Sequence, residues 1–227
     1  MVSAVLFSGG LDSAALLVEE AAAAVVQPIY VSVGAAWEGA ERAAVGRFLA
    51  ACGAGFAVRP LTSLAVAMTD VYPPGHWALQ GRPPEYHTPD EEVYLPGRNI
   101  VLLGKAGVYC AGAGIERLVI GTLDHNPFPD ATQAFREAMA TALSLGLAHR
   151  FQIDAPYARV GKAEVVRRAV ARGVPLELTL SCMNPNGSPI PRHCGRCSKC
   201  RERHDAFVEA AVADPTDYLD RTYMGGR

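Results

Sequence analysis

Val2-Ser3-Ala4-Val5-Leu6-Phe7-Ser8-Gly9-Gly10-Leu11-Asp12-Ser13 is the stretch that decides the fold. Its first six residues form a short β-prone run that ends abruptly at the glycines. Asp12-Ser13-Ala14-Ala15-Leu16-Leu17-Val18-Glu19-Glu20 then reads as a helix with a capping-type start. Strand, glycine turn, helix is the expected order. At such a junction backbone N–H groups and the positive end of the helix dipole converge on one point at the carboxyl edge of a sheet, which suits an anion. Glycines let the backbone approach phosphate oxygens with no Cβ in the way, and Ser8 and Ser13 add hydroxyl donors. The pattern is neither the GxGxxG nor the GxxxxGKS phosphate loop, and a tight turn in an unrelated fold is the plain alternative.

Working outward, Pro28-Ile29-Tyr30-Val31-Ser32-Val33 reads as a second buried strand, residues 38–52 as an Ala-rich helix, and Phe56-Ala57-Val58-Arg59 as a third strand. This alternation predicts an α/β fold, a parallel sheet with helices on both faces. Residues 71–96 hold six prolines and form a loop too long for a mere connection, a candidate lid. Regular structure resumes with a helix over 99–113, a strand over 118–121, and helices over 131–145 and 162–172. Beyond Pro175 the composition turns to Cys, Pro, Asn, Gly and Arg. Two units are therefore expected, an α/β domain over 1–175 and an appendage over 176–227 that ends in a helix near 201–212.

Composition sets bounds on function. The chain has 227 residues, half of them hydrophobic, with 21 Lys+Arg against 23 Asp+Glu and a formal net charge of −2. Such a chain builds a sizeable core without disulfides, and the charge argues against a protein that grips long nucleic acid mainly through its phosphates. The apolar run from Ala14 to Ile29 is interrupted by Glu19, Glu20 and Gln27, so it is neither a membrane span nor the core of a secretion signal. A cytoplasmic protein with no membrane partner is expected.

Four of the six cysteines crowd together as Cys182-x11-Cys194-x2-Cys197-x2-Cys200. Three thiolates from a knuckle-like CGxCxxC and one from a preceding loop match a tetrahedral structural zinc; a disulfide pair or an iron–sulfur centre is the alternative. Pro185, Gly187, Pro189, Pro191 and Gly195 supply turns, and Arg192, Arg196, Lys199 and Arg201 could soften the charge of a zinc–thiolate centre. With four cysteines available, His193 and His204 read as surface residues. Lys162, at the start of a helix in Gly161-Lys162-Ala163-Glu164, offers a point charge to a phosphate, though a lysine there is more often simply solvated.

At SGGLDS the chain resembles the PP-loop ATP pyrophosphatases, an adenine nucleotide alpha hydrolase-like fold. Leu95-Pro96-Gly97-Arg98-Asn99, Ser144-Leu145-Gly146-Leu147, Gly161-Lys162-Ala163-Glu164 and the terminal cysteines extend the resemblance over nearly the whole chain to the 7-cyano-7-deazaguanine synthase family. The resemblance implies ATP and Mg2+ at the loop, through Phe7, Ser8, Gly9, Gly10, Leu11, Asp12, Ser13, Ala14, Ala15, Leu16 and Leu17, with Arg98 and Lys162 as further contacts. Asp12, Ser13 and Lys162 are the residues expected to matter most to the reaction. It also implies the chemistry: a carboxylate, 7-carboxy-7-deazaguanine, is adenylated, captured by ammonia as an amide, adenylated again and dehydrated to the nitrile. A carboxylate is a poor electrophile until it carries a leaving group such as AMP.

The acceptor half departs from the family. Where the family has a Tyr-Gly-Gln-Arg-His type segment after strand 2, this chain has Val33-Gly34-Ala35-Ala36-Trp37, without the basic residues. After strand 4 only Pro129-Asp130 and an aromatic remain of the usual pattern, and residues 85–94 form an extended stretch before the Leu-Pro-Gly-Arg-Asn segment. Trp37 and Phe128 are candidate stacking partners for a flat base, and Asp124, His125 and Asp130 candidate polar contacts. Competing readings are a paralogue that stops at the amide or joins the activated carboxylate to another amine, and a tRNA-binding PP-loop thiolase, against which near-neutral charge counts. A non-enzymatic zinc-knuckle regulator would not require an intact SGGLDS. No feature decides the amine donor or the oligomeric state; a homodimer is compatible with the reading.

Overall fold

The computed structural model describes residues 2–52, 55–187 and 190–225, so Pro189 of the turn-rich segment lies outside the described residues. Five strands form one parallel sheet in the order β3-β2-β1-β4-β5. They are β1 (Val2–Leu6), β2 (Val25–Ser32), β3 (Thr62–Ala65), β4 (Arg117–Val119) and β5 (Gln152–Asp154). Among the described residues seven α-helices accompany them: α1 (Leu11–Ala23), α2 (Glu38–Cys52), α3 (Trp77–Gln80), α4 (Arg98–Gly112), α5 (Gln133–Leu147), α6 (Lys162–Ala171) and α7 (Ser198–Ala210).

Side-chain alternation along the strands divides the core in two. Val5, Val26, Tyr30 and Val119 pack beneath α1, α2, α6 and α7, while Ala4, Ile29, Val31, Leu118 and Ile153 pack against α4 and α5. Both faces of the sheet are covered, which is why β2 reads as an almost unbroken buried run. Ala206, Phe207 and Ala210 of α7 belong to the same cluster as α1 and α6. Arg203, fully buried on α7, donates to Thr216 Oγ1 (2.6 Å), Thr179 Oγ1 (2.8 Å) and the Leu176 carbonyl (2.8 Å), which ties α7 to residues 176–181.

The sheet corrects two strand expectations. The third strand lies at Thr62–Ala65, not Phe56–Arg59. Ala57 and Arg59 do exchange backbone bonds with Val26, but Pro60, which has no N–H, interrupts the ladder. Gln27 Nε2 donates to Pro60 O (2.8 Å) and Thr62 Oγ1 (3.2 Å), and pairing resumes beyond. The edge strand β5 is an unheralded three-residue element, Gln-Ile-Asp. At α7 the helix starts at Ser198, inside the cysteine cluster, with Cys197 as its N-cap.

The proline-rich segment 71–96 carries α3, a 3₁₀ turn at Asp90–Val93 and a small core of its own around Trp37, Met68, Tyr72, Leu95 and Met183. It is stitched to the C-terminal segment: Ser198 N donates to Pro84 O (3.2 Å), and Arg201 donates to the carbonyls of Tyr86 (3.0 Å) and Thr88 (2.8 Å) and to Asp90 (2.8 Å).

Candidate active-site cleft and metal centre

The chain reverses its winding between β1 and β4, and at such a switch point the carboxyl ends of the strands leave a crevice. The turn from β1 into α1 occupies it. Gly9 has φ +77°, and a Cβ there would meet Val45 Cγ2 at 2.9 Å and its backbone nitrogen at 3.3 Å, so α2 packs against the turn only because the residue is glycine. The Gly9 carbonyl accepts from Leu180 N (2.8 Å), which pins the turn to the segment leading into the cysteines. Gly10 is the N-cap of α1 and provides no side-chain cap, contrary to the capping-type start expected. Ser13 Oγ donates to Gly10 O (3.1 Å) and lies 3.3 Å from Ser8 Oγ.

Two adjoining cavities of about 270 and 320 Å³ open above the turn and share Ser8, Gly10, Asp12, Glu41, Arg98 and Phe128. The first runs along Phe7, Tyr30 and Val31 at the ends of β1 and β2; the second runs toward Trp37, Asp124 and His125 on one side and Lys162, Lys199 and Glu202 on the other. Three buried polar atoms in this cleft have no hydrogen-bond partner among the described residues: Asp12 Oδ1, Arg98 Nε and Thr122 Oγ1. An acceptor, a cationic donor and a hydroxyl left unsatisfied in one crevice are a costly arrangement unless a ligand supplies partners.

Charge is concentrated on the α6–α7 side. Lys162 Nζ lies 3.1 Å from Asp12 Oδ2 and 2.6 Å from Glu202 Oε1, and Lys199 Nζ lies 2.5 Å from Glu202 Oε2. Burial alone would depress the Lys162 ammonium, but the carboxylates of Asp12 and Glu202 outweigh it and hold its pKa above the usual lysine value. Burial likewise acts to raise Glu202, and the two lysines overcome it and hold it ionised.

The residues expected from sequence divide into three groups. Phe7, Ser8, Gly10, Leu11, Asp12, Ser13, Arg98 and Lys162 line the cleft, and Gly9 shapes it from below. Ala14, Ala15, Leu16 and Leu17 do not line it; they are buried in the core beneath the sheet. On the acceptor side Asp124 and Phe128 line the cleft, Phe128 stacking on Tyr94 with ring centroids 5.1 Å apart. Trp37 reaches the cleft but is largely buried, one face stacked on Trp77 (5.8 Å) and Nε1 donating to Glu41 Oε1 (3.1 Å). His125 is an exposed rim residue paired with Asp124 (3.2 Å). Asp130 is buried outside the cleft lining: its carboxylate accepts from the Asn99 backbone N–H (3.2 Å) in the first turn of α4 and from Asn99 Nδ2 (3.3 Å). Sequence reasoning missed Glu41, Thr122 and Glu202; only Glu41 left a trace, four residues beyond Trp37 in the first turn of α2.

The four cysteine sulfurs lie within 4.8 Å of one another, so they could hold a metal ion. Pairs sit 3.5 Å (Cys197–Cys200), 3.9 Å (Cys194–Cys200) and 4.0 Å (Cys182–Cys197) apart. Backbone N–H groups of Asn184 (3.3 Å) and Cys194 (3.2 Å) point at Cys182 Sγ, and that of Arg196 (3.4 Å) at Cys194 Sγ, an outer shell suited to thiolates. All six cysteines are free of disulfides. His193 is not the surface residue expected: it is buried, and its Nε2 accepts from Ser181 N (3.1 Å). The neighbouring cations make carboxylate pairs: Arg192 with Asp217, Arg196 with Asp220, Lys199 with Glu202 and Arg201 with Asp90.

Comparison with known proteins finds relatives over nearly the whole chain. The family model described as "Queuosine biosynthesis protein QueC" matches residues 2–211. A 7-cyano-7-deazaguanine synthase from Methanopyrus kandleri is 35% identical over 230 residues, covering 95% of this chain and 98% of the relative. One of the same name from Anaeromyxobacter dehalogenans is 34% identical over 233 residues, covering 94% of each. Among solved structures, the U34-tRNA thiolase NcsA from Methanococcus maripaludis covers 100% of this chain and 76% of its own, with 16% identity and a TM-score of 0.47. No helix among the described residues is long and apolar enough to cross a membrane.

Proposed function

Because the chain belongs to the queuosine biosynthesis protein QueC family, we propose that it converts 7-carboxy-7-deazaguanine and ammonia to 7-cyano-7-deazaguanine at the expense of ATP, releasing AMP and pyrophosphate. The observation that carries this reading is the uncapped first turn of α1 with the unpartnered Asp12 Oδ1 beside it, at the carboxyl edge of the sheet. The carboxylate oxygen attacks the α-phosphorus of ATP and pyrophosphate leaves. Ammonia then attacks the acyl carbon, and AMP and a proton leave, giving the amide; the amide oxygen attacks the α-phosphorus of a second ATP, releasing a second pyrophosphate and a proton, and loss of AMP and the remaining N–H proton gives the nitrile. In this reading Gly10, Ser8 and Ser13 bind the departing pyrophosphate, and Lys162, held charged, faces the negative charge that builds there.

The free oxygen of Asp12 fits a magnesium ligand, and magnesium held there would supply charge neutralisation for the phosphates. The cysteine cluster fits zinc: Zn–S bonds of about 2.3 Å in a tetrahedron place sulfurs roughly 3.8 Å apart, close to the 3.5–4.0 Å separations of three of the sulfur pairs, with all four sulfurs within 4.8 Å of one another. With four thiolates filling it, such a centre is structural. Incubating the protein with ATP, ammonium and 7-carboxy-7-deazaguanine and weighing the products tests the whole scheme; ADP as the product, or an unchanged heterocycle, defeats it. A second reading, in which the reaction stops at the amide or uses another amine, is favoured by the acidic character of the acceptor wall, where Glu38 and Glu41 follow a segment free of basic residues. Accumulated amide with no nitrile would select it.

A further inference from the structure

Four acidic side chains stand on or near the acceptor wall, and three already have settled partners. Glu38 Oε1 accepts from the backbone N–H groups of Val33 (2.7 Å) and Gly34 (3.0 Å), and its Oε2 from Ser32 Oγ (2.5 Å). Asp130 is engaged with Asn99, and Asp124 with the backbone N–H and the ring of His125. Glu41 differs. It lines both cavities where they meet, and each of its oxygens takes a single neutral donor, Tyr30 OH on Oε2 (3.0 Å) and Trp37 Nε1 on Oε1 (3.1 Å). A carboxylate oxygen has room for about two donors, so one acceptor position remains on each.

We propose that Glu41 is the specificity residue for the acceptor, its two oxygens receiving the ring imino N–H and the 2-amino group of a guanine-type heterocycle whose flat face lies toward Phe128. The inference rests on the acceptor class proposed above and adds how that class is told from other planar carboxylates. Two parallel acceptors match two parallel donors, and a bidentate charge-assisted pair is among the stronger ways to read a base edge. Tyr30 and Trp37 fix the carboxylate in one rotamer, so little freedom remains to be lost on binding. Burial pushes the Glu41 carboxyl up, against the opposing pull of Arg98 and its two donors, so further N–H donors would relieve a strained group.

The test is equilibrium calorimetry with a non-hydrolysable ATP analogue present, comparing 7-carboxy-7-deazaguanine with the same heterocycle lacking the 2-amino group. Wild-type protein should bind the second compound about tenfold to a hundredfold more weakly, the scale of a lost charge-assisted hydrogen bond. Glu41→Gln should shrink that ratio to about threefold or less while leaving affinity for the ATP analogue unchanged. Equal affinity of the wild type for both compounds overturns the inference without recourse to any variant. An undiminished ratio in Glu41→Gln, or a loss confined to the ATP analogue, overturns it too and leaves the acceptor class standing. Failure of the wild type to bind either compound removes the acceptor class, and this inference with it.

Discussion

The phosphate turn and the acceptor wall face each other across one cleft and are built from opposite materials. The turn is six consecutive residues whose working groups are largely backbone, held from below by Val45 and from behind by Leu180. The wall is assembled from side chains of three separated segments: Trp37 and Glu41 at and just before the start of α2, Arg98 of α4, and Asp124 and Phe128 of the loop after β4. Backbone groups tolerate sequence change only where the local conformation survives it, whereas a side-chain wall can be re-cut one residue at a time. The turn should therefore fail abruptly on substitution and the wall by degrees.

The sharpest break is Asp12→Ala. It removes the carboxylate that both pairs with Lys162 and leaves an oxygen free in the cleft. ATP consumption should fall below detection, more than the roughly 10²–10³-fold loss that follows removal of one preorganised donor. Product chromatography decides it, and a variant retaining a tenth of wild-type turnover would show that the turn is as forgiving as the wall. Next in size is metal removal, or Cys197→Ser. A structural zinc supplies on the order of 10–16 kcal/mol of apparent binding energy to the segment it organises. Hydrogen exchange should show residues 176–210 opening before the sheet does. Because Leu180 N holds the Gly9 carbonyl, ATP affinity should fall as the metal is withdrawn, which would show that part of the turn's rigidity is borrowed from the cysteine cluster. Elemental analysis finding iron, or no metal, in the purified protein would remove the zinc assignment.

Lys162→Ala bridges the two regions, since the lysine stands on α6 between the turn and α7. We expect turnover to drop by about 10²–10³-fold and thermal stability to fall as well, because Asp12 and Glu202 are left as neighbouring carboxylates without their shared cation. Glu202→Gln separates the effects: it should disturb the ion network while leaving the lysine free to meet phosphate. If Glu202→Gln is as inactive as Lys162→Ala, the network and not the lysine's charge carries the reaction.

The same contrast explains what could be read from the chain. Val2–Leu6, the glycine pair and α1 are contiguous, so their signal is local, and the cysteine spacing is local for the same reason. β3 and β5 were not legible, because Thr-Ser-Leu-Ala and Gln-Ile-Asp carry no apolar run and become strands only through neighbours already in place. Lys199 read as a counter-ion for the cysteines, yet α7 begins early enough to turn it toward Glu202 and the cleft. Glu41 left only its spacing from Trp37, because its importance comes also from Tyr30, which only the packing of α2 on β2 brings to it.

Asp130 makes the smallest and most discriminating prediction. Read from sequence it is an acceptor contact; in the fold it holds the N-terminal turn of α4, taking the Asn99 N–H as a helix cap does. Asp130→Ala should cost about 0.5–2 kcal/mol of stability with little change in KM for the carboxylate beyond what a shift of Arg98 brings. Asp130→Asn keeps an oxygen for Asn99 and should cost less. Burial raises the Asp130 carboxyl above its ordinary value, with the Asn99 bonds and Arg98 opposing. A carboxyl whose folded pKa lies above its unfolded one destabilises the fold as pH climbs from the unfolded value through the folded one, and the penalty then stays constant at higher pH. Denaturation midpoints measured from pH 3.5 upward should therefore fall less steeply with pH in Asp130→Asn than in wild type over that interval. If the variant instead leaves stability and its pH course untouched but weakens acceptor binding tenfold, Asp130 belongs to the wall after all, and the line drawn between the helix cap and the cleft is in the wrong place.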